Sequence, residues 1–169
     1  MDDSTHEAAI KLLLARQDLV HAWMRRVLDD PLIPSARRLE PFRLRDYVPR
    51  FIDTATEALR RERYDDELRR RAVQFGRVHA VDRLDAGFTL EEVRRELDHL
   101  EAVLTEQVRA PTALALVAEA LDEARAIAIE AFGTDRGTLW REAGRASLRP
   151  VAATSPHEVD EVPRRRAGS

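Results

Sequence analysis

The chain has 169 residues, of which 44% are hydrophobic and 35% charged, so it can form one domain with a buried core and is short for two. Its net charge of −3 gives no general attraction for nucleic acid or acidic membranes, and the absence of cysteine excludes disulfides and cysteine-based zinc sites. We find neither an apolar run of about 18 residues nor a signal peptide, and we therefore expect a cytoplasmic protein that does not cross a membrane.

The first segment has the periodicity of an amphipathic helix. Its apolar positions recur at helical spacing: Leu12, Leu19, Trp23 and Val27. Asp3 or Ser4 is a candidate N-cap. Prolines then interrupt the pattern: Pro31, Pro34 and Pro41. We expect a loop across this interruption.

The second helix is expected over residues 46–61. Pro49 is compatible with it only in the first turn, where a missing N–H has no helical partner. The apolar stripe of this helix contains Phe51, Ile52, Ala55, Ala58 and Leu59.

The sequence from Asp65 to Leu104 predicts a hairpin formed by a third and a fourth helix. Asp65 or Asp66 starts the third helix, and Gly87 ends it because glycine accepts the left-handed backbone conformation that closes many helices. Thr89 and Glu92 have the spacing of a capping box, which starts the fourth helix. Its apolar seam consists of Leu90, Val93, Leu97, Leu100 and Leu104.

A fifth helix is expected over residues 113–132, and a short one carrying Trp140 over 138–147. The sequence from residue 148 is polar, has no period and predicts a disordered tail at 148–169. Residues 1–147 would then form one helical domain. The fold class is all-α: an antiparallel bundle of five to six helices, with a globin-like or four-helix-bundle core.

One pair has the spacing of a metal-binding element. Glu96 and His99 form Glu-x-x-His, which places two ligands on one helix face in di-iron bundles. Such sites need a second copy of the element, and this sequence has none. We therefore interpret the two as an exposed polar pair and expect no metal and no cofactor.

His79 lies in a stripe with Ala72 and Phe75, so it should point into the bundle as a hydrogen-bonded core residue.

Histidine phosphotransfer domains are also helical bundles, but they present an exposed histidine followed by a basic residue. Here His99 is followed by Leu100 and Glu101, which disfavours that role.

Other motifs give little support for nucleic-acid binding or catalysis. The basic stretches 60–63 and 69–71 are interleaved with acids and predict a solvated, ion-paired helix face, not a nucleic-acid site. No phosphate-binding glycine loop, nucleophile elbow or zinc-protease motif occurs. We therefore expect that the protein is not an enzyme.

The hairpin also predicts a specific contact. His79 and Arg83 share a face of the third helix, and Glu96 lies at a similar height on the fourth, beyond the Gly87 turn. We expect Glu96 to bind Arg83 or His79 and so fix the register of the two helices, a role in which a buried charge pair adds specificity more surely than stability.

The order His79, Arg83, Gly87, then Phe88-Thr-Leu90, Glu96 and Leu100 resembles the motif of the RsbT co-antagonist N-terminal domain, of the RsbR type. Trp23 and the segment LRDYVPRFIDTATEAL, residues 44–59, resemble further parts of the same family. The resemblance covers residues 12–132.

The resemblance implies a globin-like, non-haem sensory module of stressosome proteins or histidine kinases, with His79, Arg83, Gly87 and Glu96 as its polar cluster. The chain departs from the family at Glu101, where an arginine is common, and carries no recognisable output domain. We expect a non-catalytic regulatory sensor that acts through a protein partner in a signalling pathway or as a homodimer. The alternatives are a bundle that binds a small ligand or metal, and a phosphotransfer protein.

Overall fold

The computed structural model describes residues 3–134, and within this range the chain forms helices and turns without a strand. The α-helices are α1 (Asp3–Asp29), α2 (Pro41–Arg45), α3 (Val48–Arg61), α4 (Asp66–Asp85), α5 (Leu90–Gln107) and α6 (Pro111–Gly133), with a 3₁₀ turn at Pro34–Arg38. The all-α prediction is confirmed. The expected short helix at 138–147 and the tail at 148–169 lie outside the described residues.

The segment between α1 and α3 is more ordered than the predicted loop. Pro34 starts the 3₁₀ turn and Pro41 starts α2, because proline at the first helical position loses no hydrogen bond. Pro49 occupies the first turn of α3, as expected. The expected start of that helix at residue 46 was two residues early.

The ends of the α4–α5 hairpin agree with the sequence. The Asp65 side chain caps α4 by accepting from the backbone N–H groups of Glu67 and Leu68. Gly87 has a φ of +79°, a conformation that side-chain-bearing residues rarely adopt. The Thr89–Glu92 capping box is complete at the start of α5.

The core is continuous across the five longer helices. The most extensive packing joins α4 to α6, and α1 packs on both α3 and α5. Gly76 permits the close approach of α4 to α6, since a Cβ there would overlap the carbonyl oxygen of Ala124. Among the residues described, no helix has both the length and the apolar character that a membrane crossing needs.

Candidate functional site

Three charged or titratable side chains meet inside the α4–α5 hairpin. Arg83 Nε lies 3.0 and 2.9 Å from the two carboxylate oxygens of Glu96, and His79 Nε2 lies 3.1 Å from Glu96 Oε2. None of these three residues is more than 1% exposed. The predicted contact is confirmed, and it includes both proposed partners of Glu96. We call these residues the buried trio.

Arg83 extends the buried trio beyond the hairpin. Its Nη2 donates to the backbone oxygen of Leu44 at 2.7 Å, and its Nη1 donates to Asp82 at 2.7 Å. Asp82 in turn accepts from Arg43 at 2.7 Å. The guanidinium therefore attaches the end of α2 to α4. Sequence reasoning missed these bonds, because no periodicity relates residue 44 to residue 83.

Trp23 joins α1 to the buried trio. Its indole Nε1 donates to the backbone oxygen of Glu96 at 2.9 Å, inside the core. The N–H of a buried tryptophan needs a hydrogen-bond acceptor, and here that acceptor lies on α5. This bond therefore holds α1 against α5, while the trio holds α4 against α5. The sequence placed Trp23 in the apolar face of the first helix without indicating its acceptor.

The charge states within the buried trio follow from burial and from Arg83. Burial lowers the pKa of His79, and the charge of Arg83 lowers it further, so the imidazole is neutral near pH 7. Burial alone would raise the pKa of Glu96, but the charge of Arg83 and the hydrogen bonds from its two partners outweigh burial and lower it. The trio thus contains one ion pair and one neutral imidazole.

The arrangement is closed to ligands on its carboxylate side. Both oxygens of Glu96 are engaged, and the ring of His79 stacks on Phe75 at a centroid distance of 5.3 Å. Nδ1 of His79 is buried and has no hydrogen-bond partner in the described part of the chain. Within residues 3–134 no three histidine, aspartate or glutamate side chains are grouped so that they could hold a metal ion.

The interpretation of Glu96 and His99 as an exposed polar pair was wrong. Glu96 is fully buried, while the His99 side chain is 26% exposed and its Nε2 lies 2.8 Å from Asp30. Positions three apart differ by about 60° around a helix, so one side chain points toward α4 and the other toward the end of α1.

Asp30 is the centre of this second polar cluster. It accepts from Arg95 at 3.0 and 2.7 Å and from the backbone N–H of Leu32 at 2.9 Å, besides its contact with His99. Burial alone would raise its pKa, but the bonds from Leu32, His99 and Arg95 lower the pKa to about 2. The cluster ties the end of α1 to α5.

Apart from Arg70, the arginines of the basic stretches 60–63 and 69–71 are ion-paired within the described residues, as the sequence indicated. Arg61 pairs with Glu57, Asp65 and Glu67 at 2.8, 3.0 and 2.9 Å, and Arg71 also contacts Glu67. Most of these side chains are a quarter to a half exposed, so the pairs contribute little stability individually.

Two surface features were not specified by the sequence. The first is an apolar area on α1, where Ile10, Leu13 and Leu14 are 44%, 57% and 80% exposed. The second is a cleft of about 720 Å³ between α3 and α4.

Comparisons with protein-family models, with curated proteins and with solved structures found no match to this chain. The resemblance to the RsbT co-antagonist N-terminal domain therefore stays a prediction from the residues that carry it.

Proposed function

We propose that this protein is a non-catalytic regulatory sensor domain of the RsbT co-antagonist N-terminal type, located in the cytoplasm, which acts in a signalling pathway by self-association through α1. The motif residues His79, Arg83 and Glu96 support the proposal because they lie together in the core. The observation that carries the self-association is the exposed face of α1.

The exposed face of α1 changes in character along the helix. Side chains at steps of three or four share a face of a helix. From the N-terminus to the C-terminus this face is acidic, then apolar, then polar and basic: Asp3, Glu7, Ile10, Leu14, Gln17, His21 and Arg25, all exposed. We call these seven residues the α1 strip. Leu14, at its centre, is 80% exposed.

The α1 strip is complementary to itself in an antiparallel arrangement. With a two-fold axis at Leu14, residues equally far from Leu14 on opposite sides face each other in the two copies. Glu7 then faces the partner's His21, Asp3 faces the partner's Arg25, and Leu14 meets its own copy at the axis. Asp3, His21 and Arg25 have no ion-pair partner among the described residues, so these groups are available for such contacts.

Replacing Leu14 with glutamate tests the proposal. We expect the wild-type chain to have twice the 19.3 kDa mass of one chain in light scattering, and Leu14→Glu to have the single mass, because two facing carboxylates at the axis repel each other. Leu32→Glu is the control, since Leu32 is 60% exposed but lies outside the strip. A wild-type chain with the single mass would refute self-association.

A phosphotransfer function has less support. His79 is 1% exposed, so no receiver protein can reach it without unfolding of the hairpin, and the ring of His99 contacts the Asp30 carboxylate at 2.8 Å.

A further inference from the structure

The α3–α4 cleft has the size of a small-molecule site, since such sites span about 300–1,000 Å³. We infer that it binds a small carboxylate with an apolar body, and that Phe75 transmits this binding to the buried trio. The inference rests on the sensory part of the proposed function and is independent of self-association through α1.

The internal ion pairs decide which charges of the cleft remain available. The cleft is lined by three arginines and three acids, but two of the acids are already neutralised. Asp53 accepts from Arg16 at 2.6 and 2.8 Å. Glu67 accepts from Arg61 at 2.9 Å and also contacts Arg71, so Arg71 is engaged as well.

Two cations of the cleft are left without an ion-pair partner among the residues that the structure describes. Arg50 and Arg70 are exposed, and no carboxylate of residues 3–134 lies within 4.0 Å of either guanidinium. The third acid, Asp46, likewise has no basic partner in this range. Free positive charge therefore exceeds free negative charge, which favours an anion. A guanidinium binds a carboxylate through two parallel hydrogen bonds.

The wall of the cleft indicates the rest of the ligand. Val78 from α4 and Tyr47, the residue before α3, line it with partly exposed aliphatic and aromatic surface, and Phe75, also among its lining residues, is 4% exposed. An inorganic anion would leave this surface in contact with water, whereas a phenyl or alkyl group would cover it, at about 25 cal/mol per Å² of apolar surface removed from water.

Phe75 connects the cleft to the buried trio. Its ring lies 4.8 Å from the ring of Phe51 and stacks on His79 at 5.3 Å with an interplanar angle of 24°. His79 contacts Glu96, whose backbone oxygen accepts from the indole of Trp23. A ligand that displaces the ring of Phe75 therefore changes the environment of the Trp23 indole N–H through three successive contacts, Phe75–His79, His79–Glu96 and Glu96–Trp23.

The proton–nitrogen NMR signal of the Trp23 indole tests both parts of the inference. The chain has two tryptophans, so Trp140→Phe identifies this signal. The probe is 3-phenylpropionate; 3-phenylpropionamide lacks its charge, and inorganic phosphate lacks its apolar body. We expect 3-phenylpropionate to shift the signal saturably and the other two to bind at least about tenfold more weakly. The absence of saturation, or equal binding of either comparison compound, would overturn the ligand class.

Variants separate recognition from transmission. Arg50→Gln combined with Arg70→Gln should weaken 3-phenylpropionate binding at least about tenfold, whereas Arg69→Gln, which does not line the cleft, should not. Phe75→Leu also alters the wall of the cleft, so 3-phenylpropionate is added to saturation, which saturation transfer to the ligand verifies; the Trp23 shift should then be lost. Unchanged affinity in the double variant, or an undiminished Trp23 shift in Phe75→Leu, would contradict the inference.

The molar mass of the same sample distinguishes the two proposals. A chain that self-associates but binds no 3-phenylpropionate contradicts only the ligand site. A chain of single mass that binds it contradicts only self-association.

Discussion

At the scale of single residues, the core contains charged side chains, the groups whose burial costs the most free energy. A buried charge is tolerated only when it is paired and hydrogen-bonded, and Arg83 and Glu96 satisfy this condition through each other, through Leu44 and through His79. Such a pair adds little net stability over apolar residues of the same volume, but breaking it leaves one charge uncompensated.

Glu96→Gln should therefore lower the free energy of unfolding by about 3–5 kcal/mol, because Arg83 stays charged in the core without its carboxylate. The combined replacement Arg83→Met with Glu96→Leu should cost less than Glu96→Gln alone, because it leaves neither charge unpaired. Chemical denaturation measures both. Glu91→Gln is the control on the same helix, and its cost should be at most about 1 kcal/mol, since the Glu91 side chain is 70% exposed. A small effect of Glu96→Gln would contradict the role of the trio.

The lowered pKa of Asp30 predicts that the free energy of unfolding depends on pH. Its pKa is lowered to about 2 in the folded chain, so the folded state favours the ionised form more than the unfolded state does. The stabilisation is present above the unfolded pKa of about 4 and is lost as the pH falls through the folded pKa. Asp30→Asn should thus cost about 1–2 kcal/mol at pH 7 and progressively less below pH 4.

Denaturation at several pH values measures the effect of Asp30→Asn. The control is Asp29→Asn, because Asp29 is exposed and has no ion-pair partner within residues 3–134. A difference between Asp30→Asn and the wild type that stays constant down to about pH 2 would show that the carboxylate charge is not responsible.

At the scale of helices, the close approach of α4 to α6 depends on a single glycine. A Cβ at Gly76 would overlap the carbonyl oxygen of Ala124, so α4 and α6 could not keep their separation. Alanine would gain about 1 kcal/mol of helix propensity, but separating two well-packed helices costs more.

Gly76→Ala should destabilise the fold by about 1–3 kcal/mol in thermal or chemical unfolding. Gly133→Ala is the matched substitution, because a Cβ at Gly133 meets no atom within 4 Å, and it should change stability by at most about 0.5 kcal/mol. Equal effects of the two substitutions would show that α4 and α6 lie farther apart than the contact of Gly76 with Ala124 requires.

At the scale of the whole molecule, local sequence signals predicted the elements, and long-range contacts were harder to predict. Periodicity and capping residues predicted the five longer helices. The contact between Glu96 and Arg83 was also predictable, because the two residues are only 13 positions apart and the Gly87 turn lies between them. The bonds from Arg83 to Leu44 and from Trp23 to Glu96 join residues 39 and 73 positions apart. Such contacts depend on how the helices are arranged in space, which no local pattern specifies.

The α1 strip, too, can be recognised only from the fold. In the sequence Leu13 and Leu14 are as apolar as Leu12, but the structure buries Leu12 completely and leaves the other two exposed. The α1 strip, centred on the exposed Leu14, is proposed to form an antiparallel contact between two copies of the chain.

Distances between spin labels on α1 report on this antiparallel contact, and the absence of cysteine allows labelling at single introduced positions. In an antiparallel pair centred on Leu14, the two labels at Gln17→Cys should be separated along the helix axis by about 9 Å. The two labels at Arg25→Cys should be separated along the axis by about 33 Å, because the helix rises by about 1.5 Å per residue. Equal distances for the two labels, or no dipolar coupling between copies, would contradict it.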